Sequence, residues 1–368
     1  MITVHVSTAS RSYDVLIDEG LLVGLGGCVA EVSDAQRIAL ISDETVYDLY
    51  GSVARESLSA AGFEVNEIII PPGEASKNWA VAGQTLERLA GLGFGRRDLI
   101  VALGGGVIGD LAGFCAATYM RGIDFVQVPT TLLAQVDSSV GGKTGVDLKA
   151  GKNLAGAFLQ PLLVVADTAV LGTLTDDDWV SGLAEIVKMA VLESEDHLHA
   201  IECDAEALRV REIRATREAI ARAVRFKAEV VAQDEKESGV RECLNLGHTL
   251  GHALENVLGY GVVPHGVAVG EGMRFAARLG ATLPGSSLEF YARQESLLDA
   301  LGLPALTYEV DVADIHTAMR SDKKARGGVV RWVLPIAPGV WRVESIDGDI
   351  LDAELAKWAT ATNEGLMR

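Results

Sequence analysis

The chain is short of cysteine, histidine, aromatic residues and positive charge, and these shortages exclude whole classes of protein. Its four cysteines, Cys28, Cys115, Cys203 and Cys243, are widely separated and form no CxxC pair. That spacing excludes a disulfide framework and a zinc–thiolate site, and a reducing cytoplasm is the expected compartment. Lys and Arg total 32 against 51 Asp and Glu, a formal net charge of −19. Such a surface repels nucleic-acid backbone and anionic membranes, so neither is an expected partner. No apolar run is long enough to cross a bilayer. The opening residues Met1-Ile2-Thr3-Val4-His5-Val6 alternate like a strand and lack the basic and apolar regions of a signal peptide. The expectation is a soluble cytoplasmic protein in which any anionic substrate is drawn in by local clusters of Lys and Arg.

What is present is a globular composition, 49% hydrophobic and 23% charged, in a chain of 368 residues. That length predicts two domains. Residues 2–6 and 15–17 read as an opening hairpin. Short β-rich runs at 37–42, 64–70, 99–103 and 125–128 each end in a turn or helix start, for example Pro71-Pro72-Gly73, Gly104-Gly105-Gly106 and Pro129-Thr130-Thr131. Strands alternating with helices predict a mostly parallel sheet covered on both faces. Past about residue 174, segments 176–192, 213–231, 244–258 and 267–279 carry helical spacing, with Ile213, Ile220, Val224 and Val231 on one face of the second. Residues 329–336 and 340–343 read as a small hairpin. The fold class expected is α/β: an N-terminal Rossmann-like parallel-sheet domain over 1–170, then a mostly helical domain over 171–368.

Three motifs carry chemistry. Gly104-x-Gly106-x-x-Gly109 follows a strand and opens a helical run, where glycines let backbone N–H groups approach a pyrophosphate. It does not lie at the first strand, and Asp110 directly after it repels phosphate unless it bonds something else. Gly142-Lys143-Thr144 resembles the end of a P-loop, but Asp137 stands where that motif requires glycine, which excludes it. A turn-rich strand-to-helix loop holding Asp137, Lys143, Lys152 and Asn153 remains a site candidate. Finally, three of the seven histidines fall between residues 248 and 265. His248 and His252 are spaced i, i+4 and share a helix face, so spacing alone makes them the obvious metal-ligand pair; His265 and Glu185 are the other candidates.

Taken in order, Gly104–Asp110, Tyr119-Met120-Arg121-Gly122, the run from Val128 to Thr144, Gly151-Lys152-Asn153, Ser181-Gly182-Leu183-Ala184-Glu185 and the run from Asn245 to His252 resemble the 3-dehydroquinate synthase family of sugar-phosphate cyclases. The likeness runs from about Tyr13 to Ile346; one departure is Val267, where the family often has Glu. The resemblance implies an N-terminal NAD domain, a C-terminal helical domain carrying Zn2+ or Co2+, a cleft between them, and a homodimer. It implies metal ligands Glu185, His248 and His265, with His252 moved to the substrate as an acid/base group. NAD contacts would be Asp43, Glu74, Lys77, Gly105, Gly106, Val107, Asp110, Thr130, Thr131, Lys143, Lys152, Val170 and Thr173. Substrate contacts would be Asp137, Lys143, Lys152, Asn153, Lys188, Lys227, Arg241, Asn245, His252 and a lysine of the pair Lys323 and Lys324, with Arg121 reaching from a partner subunit. Of these, His252, Lys143, Lys188, Asn153 and Asp137 would be catalytic.

The implied reaction, a phosphorus–oxygen lyase step of the shikimate pathway, converts 3-deoxy-D-arabino-heptulosonate 7-phosphate to 3-dehydroquinate and phosphate. It proceeds by transient NAD oxidation, phosphate elimination, re-reduction and an intramolecular aldol. The rival readings are a cyclase acting on sedoheptulose 7-phosphate or an amino analogue, an NAD- and zinc-dependent polyol dehydrogenase, and a non-catalytic NAD or metal sensor.

Overall fold

The computed structural model describes residues 1–259, 261–281, 283–306, 309–324, 330–346 and 348–365, the side chains of 320–324 and 361–365 excepted. It divides into two compact units: Met1–Leu174 with Thr216–Lys236, and Thr175–Ala215 with Glu237–Arg368. The sequence reading draws one boundary, at 170/171; the chain in fact changes unit at 174/175, 215/216 and 236/237. Most of the helix at Ile213–Gln233 therefore belongs with the first unit. Its periodicity reveals a buried face but not the surface that buries it.

The first unit is built on strands β1 (Ile2–Ser7), β2 (Ser12–Asp18), β3 (Arg37–Asp43), β4 (Glu64–Ile70), β5 (Leu99–Gly104), β6 (Asp124–Pro129) and β9 (Leu163–Asp167), in the order β1-β2-β9-β6-β5-β3-β4. Only β1 pairs antiparallel, as the expected opening hairpin; the other pairings are parallel. Helices α1 (Leu25–Ala30), α2 (Glu44–Val46), α3 (Ser52–Ala60), α4 (Trp79–Gly91) and α5 (Gly106–Thr118) fill the connections. Strand β5 shows why the sheet is sandwiched. Ile100 and Ala102 point into one core with Leu111 and Phe114, while Leu99, Val101 and Leu103 point into another with Leu25 and Leu58. An unbroken apolar run is what a strand covered on both faces requires.

The strand order also fixes where a ligand can enter. From β3 the chain moves outward to β4, then returns to β5 on the other side of β3 and continues to β6. The connections leave β3 and β5 in opposite directions, which opens a crevice at their carboxyl ends. Asp43 ends β3 and Gly104 ends β5.

Strands β7 (Lys143–Leu148) and β8 (Gly151–Phe158) correct the reading of that segment as a strand-to-helix loop: they form a separate antiparallel hairpin. Its glycines allow close strand contact instead of a turn. A Cβ on Gly156 would lie 2.4 Å from the carbonyl oxygen of Thr144.

The second unit holds α6 (Asp176–Glu193), α7 (Glu195–Arg209), the start of α8 (Ile213–Gln233), α9 (His248–Leu258), α10 (His265–Ala281), α11 (Leu288–Ala300), α12 (Val312–Lys324), the hairpin β10 (Trp332–Ala337) and β11 (Val340–Glu344), and α13 (Gly348–Gly365). Phe275 packs against Trp332 and Trp358 at ring-centroid distances of 5.4 and 6.1 Å. Val267, the departure from the family pattern, packs as a partly buried side chain against this core. The buried Glu271 is satisfied by the Trp358 indole at 2.6 Å and the Leu306 N–H at 3.0 Å, as a buried carboxylate demands.

Candidate metal centre and nucleotide cradle

Three helices of the second unit supply one cluster. Glu185 lies on α6 and is 1% exposed; His248 and His265 open α9 and α10. One ligand atom from each lies within 4.8 Å of the other two, a spacing that suits one metal ion. Helix α9 does not start at 244 as periodicity suggests. Residues Val240–Asn245 form a 3-10 turn, and Gly247, at a left-handed φ of 81°, sets the helix start at His248. The helices meet at glycines. A Cβ on Gly266 would lie 2.3 Å from Ser181 Cα, and one on Gly272 would lie 1.8 Å from the Gly247 carbonyl oxygen. Backbone touching backbone is what holds the three ligands to this spacing.

Each histidine has one nitrogen committed. His248 Nδ1 lies 3.1 Å from the Leu246 carbonyl, which only accepts, so Nδ1 carries the hydrogen and Nε2 faces Glu185 Oε1 at 3.6 Å. His265 Nδ1 lies 3.4 Å from Glu255 Oε2, with Nε2 3.7 Å from Glu185 Oε1. Burial, helped by the Lys188 charge, pushes His248 down to about 3. Burial also opposes a charge on His265, but hydrogen bonds to Glu185 and Glu255 outweigh it and raise that ring to about 9.

His252, the ligand partner that spacing suggests, is outside this group. Its ring sits edge-on to His248 at 5.3 Å between centroids, and it is exposed. Turning back to bond Leu246 aims His248 at Glu185, so a shared helix face does not become a shared ligand set. Lys188, also 1% exposed, is ion-paired with Glu185 one turn earlier on α6. Arg241 is buried on the 3-10 turn, and Asn245 donates to Glu237 at 2.9 Å. Lys323 and Lys324 end α12, with side chains outside the described residues.

The other sequence candidates lie in the first unit. Helix α5 starts directly after β5, and its N-cap residue Gly105 makes no side-chain capping bond, so first-turn N–H groups are available to an anion. The glycines here have different reasons to be glycine. A Cβ on Gly104 would meet Ile108 at 2.6 Å and one on Gly109 would meet Gln127 at 2.7 Å, whereas one on Gly106 would meet the Ser138 side chain, its hydroxyl nearest at 3.2 Å.

Asp110 is not left to repel a phosphate: the Lys77 ammonium pairs with it at 2.5 Å. Burial alone would lower the Lys77 pKa, but Asp110 and Glu74 outweigh it and hold it above the usual lysine value. Lys152 lies 3.8 Å from Glu74. Lys227 donates to the Asp137 carbonyl at 2.6 Å and to its carboxylate at 2.7 Å. Asn153, at a φ of 54°, donates its N–H to Asp147, and Lys143 is exposed at the start of β7.

Asp43 caps α2 through the Val46 N–H, and Thr131 accepts from the Ala134 N–H. Thr130 donates its N–H to Gly104. Tyr50 bonds both the Val170 carbonyl and the Thr173 hydroxyl. Val107 follows Gly106 in the first turn of α5, and Arg121 follows that helix in a left-handed conformation, φ 70°. Sequence reasoning missed Glu255, because a lone Glu within a helix carries no signal of what it faces.

A parallel sheet with an uncapped helix at its switch point, and a helical unit converging one carboxylate and two histidines, define a class of α/β proteins with a nucleotide-type cradle and a candidate metal centre. Residues 67–181 match the family model for the 3-dehydroquinate synthase N-terminal domain, and residues 182–325 match that for its C-terminal domain. The chain belongs to the 3-dehydroquinate synthase family. A 3-dehydroquinate synthase from Pelobacter propionicus is 45% identical over 333 residues, covering 90% of this chain and 93% of that protein.

Among solved structures, 2-deoxy-scyllo-inosose synthase complexed with carbaglucose-6-phosphate, NAD+ and Co2+ matches with a TM-score of 0.90 at 26% identity, covering 97% of this chain and 100% of that one. The 2-epi-5-epi-valiolone synthase of Streptomyces hygroscopicus, with NAD+ and Zn2+ bound, matches with a TM-score of 0.87 at 26% identity, covering 96% and 99%. No described helix is long and apolar enough to cross a membrane.

Proposed function

We propose that the chain converts 3-deoxy-D-arabino-heptulosonate 7-phosphate into 3-dehydroquinate and phosphate, a lyase step toward chorismate and the aromatic amino acids, with NAD and one Zn2+ or Co2+. The observation that carries this reading is the convergence of Glu185, His248 and His265, each histidine keeping Nε2 toward the carboxylate. Among cyclase chemistries, the 45% identity to a 3-dehydroquinate synthase outweighs the 26% identity to the inosose and valiolone synthases.

Both cofactors fit the residues present. One carboxylate and two imidazoles suit zinc or cobalt and leave coordination positions for substrate oxygens. The uncapped start of α5, with Asp110 neutralised by Lys77, suits a pyrophosphate. When bound, NAD would supply a reversible hydride acceptor and the metal a Lewis acid for substrate oxygens. Asp43, Glu74, Gly105, Gly106, Val107, Thr130, Thr131, Val170 and Thr173 would line the dinucleotide site with Lys77 and Asp110, and Lys143 and Lys152 would reach both ligands.

The remaining work falls to side chains. The substrate's phosphate and carboxylate need charge-assisted donors, which Lys143, Lys152, Lys188, Lys227 and Arg241 supply in a protein of net charge −19. Asp137 orients Lys227 through two hydrogen bonds. Asn153 and Asn245 would bond substrate hydroxyls, and the exposed His252 would transfer a proton to or from the substrate. One of Lys323 and Lys324 would add a further cation. We read the working form as a cytoplasmic homodimer in which Arg121 of one subunit reaches the site of the other.

Phosphate release from the heptulosonate phosphate, with and without chelator and in His248→Ala, tests this. Release is expected from the untreated wild type, and none from the chelated or the substituted protein. Turnover of sedoheptulose 7-phosphate alone would move the assignment to another cyclase. Continuous build-up of NADH absorbance would indicate a dehydrogenase.

A further inference from the structure

We infer that Glu255 is a positioning residue of the metal centre, fixing the His265 ring through Nδ1 and raising that histidine's hold on the ion. The inference rests on the metal reading of Glu185, His248 and His265.

Glu255 lies on α9 two turns after His248, so both residues share a helix face. It is 6% exposed and lies next to Leu254 in a helix whose Leu250, Ala253 and Leu254 belong to the apolar core. A carboxylate in such surroundings is costly unless it is partnered. Its Oε2 lies 3.4 Å from His265 Nδ1. An ionised carboxylate only accepts, so Nδ1 keeps its hydrogen, and an ion that displaces the Nε2 proton would meet a lone pair directed at the cluster. His248 reaches the same tautomer through a neutral acceptor, the Leu246 carbonyl at 3.1 Å.

The two ligands therefore differ in one respect: His265 is backed by a negative charge and His248 is not. A charged acceptor behind an imidazole makes its far nitrogen the stronger donor to a metal and locks the ring plane. Glu255 links α9 to α10 through this bond, so one helix carries both a ligand, His248, and the group that orients the other histidine. That arrangement couples the two ring orientations in a way a carbonyl from a local turn cannot.

The test uses the full chain stripped of metal and titrated with Co2+, followed by the visible absorption of the bound ion and by competition with a chelator. Glu255→Gln keeps the shape and an acceptor oxygen but removes the charge; Glu255→Ala removes both. Binding is expected to weaken about tenfold in the first and about a hundredfold in the second, the span typical of outer partners of metal ligands. The Co2+ spectrum should change more in Glu255→Ala, where the ring is no longer oriented. Thermal unfolding of the metal-free proteins separates a binding defect from a folding defect, and if Glu255→Ala does not fold, the isosteric Glu255→Gln carries the test. Wild-type affinity and spectrum in Glu255→Gln would overturn the inference. Undiminished Co2+ binding by His248→Ala would instead overturn the metal reading on which it stands.

Discussion

The cradle at the end of β5 and the cluster on α6, α9 and α10 are both built around glycine, for opposite reasons. In the cluster, glycine lets one backbone touch another: a Cβ on Gly272 would lie 1.8 Å from the Gly247 carbonyl, and one on Gly266 would lie 2.3 Å from Ser181 Cα. The candidate ligands are side chains, and their spacing is inherited from helix contact. In the cradle, the proposed binding groups are backbone N–H groups, and Gly106 is the glycine of that loop with the most room around it. A side-chain site should therefore fail when its helices are pushed apart, and a backbone site when its opening is filled.

Gly272→Ala should have the largest effect on the folded protein. Its methyl group cannot coexist with the Gly247 carbonyl, so α9 and α10 must separate. Overpacking against backbone is expected to cost about 3 kcal/mol or more. The shift also moves His248 relative to His265, so Co2+ affinity should fall with stability. Retention of wild-type melting and Co2+ binding would remove the claim that helix contact sets the ligand spacing.

Lys77→Ala comes next and acts on the cradle's electrostatics. It strands the Asp110 carboxylate at the helix start that would receive a phosphate. Removing one partner of a largely buried pair is expected to cost about 3 kcal/mol. Affinity for NAD should fall as well, because the stranded charge repels pyrophosphate. The pH dependence follows from the raised Lys77 pKa. Its contribution is fully present below the ordinary lysine value and lost as pH rises through the higher folded value. Wild type should thus lose stability at strongly alkaline pH in a step that Lys77→Ala lacks. Coincident alkaline unfolding curves would contradict this.

The same contrast explains how much could be read from the sequence. The sheet was legible, because strands such as β5 are covered on both faces and appear as apolar runs closed by glycine. The hairpin of β7 and β8 was not, since its two strands form a sheet of their own apart from the main one and its glycines mimic a loop. His248 stood out by residue type and spacing, and the family resemblance supplied Glu185 and His265 beside it. Spacing alone paired it wrongly with His252, because i, i+4 spacing identifies a shared face while the direction of a ring depends on what its other nitrogen bonds. The Leu246 carbonyl and Glu255 decide that, and neither carries a mark in the sequence. The sequence showed that Asp110 needs a partner if a phosphate is to approach, but the partner it has, Lys77, becomes a neighbour only through folding.

Gly106→Ala should perturb the fold least and so gives the cleanest test of the cradle. Its Cβ would lie 3.2 Å from the Ser138 hydroxyl, the end of a side chain that can rotate away, whereas Gly104 and Gly109 are blocked at 2.6 and 2.7 Å by Ile108 and Gln127. Gly106 sits at the first position of α5 with an ordinary φ, so alanine suits the backbone and should leave stability unchanged or raised by up to about 1 kcal/mol. If packing were the reason for glycine here, nothing further would change. If glycine is there so that a pyrophosphate can approach the first-turn N–H groups, NAD binding should weaken at least about tenfold, as a lost approach of about 1.4 kcal/mol implies, while Co2+ binding at the helical cluster stays the same. Unchanged NAD affinity in a protein of wild-type stability would mean that the opening at Gly106 belongs to the fold and not to a ligand.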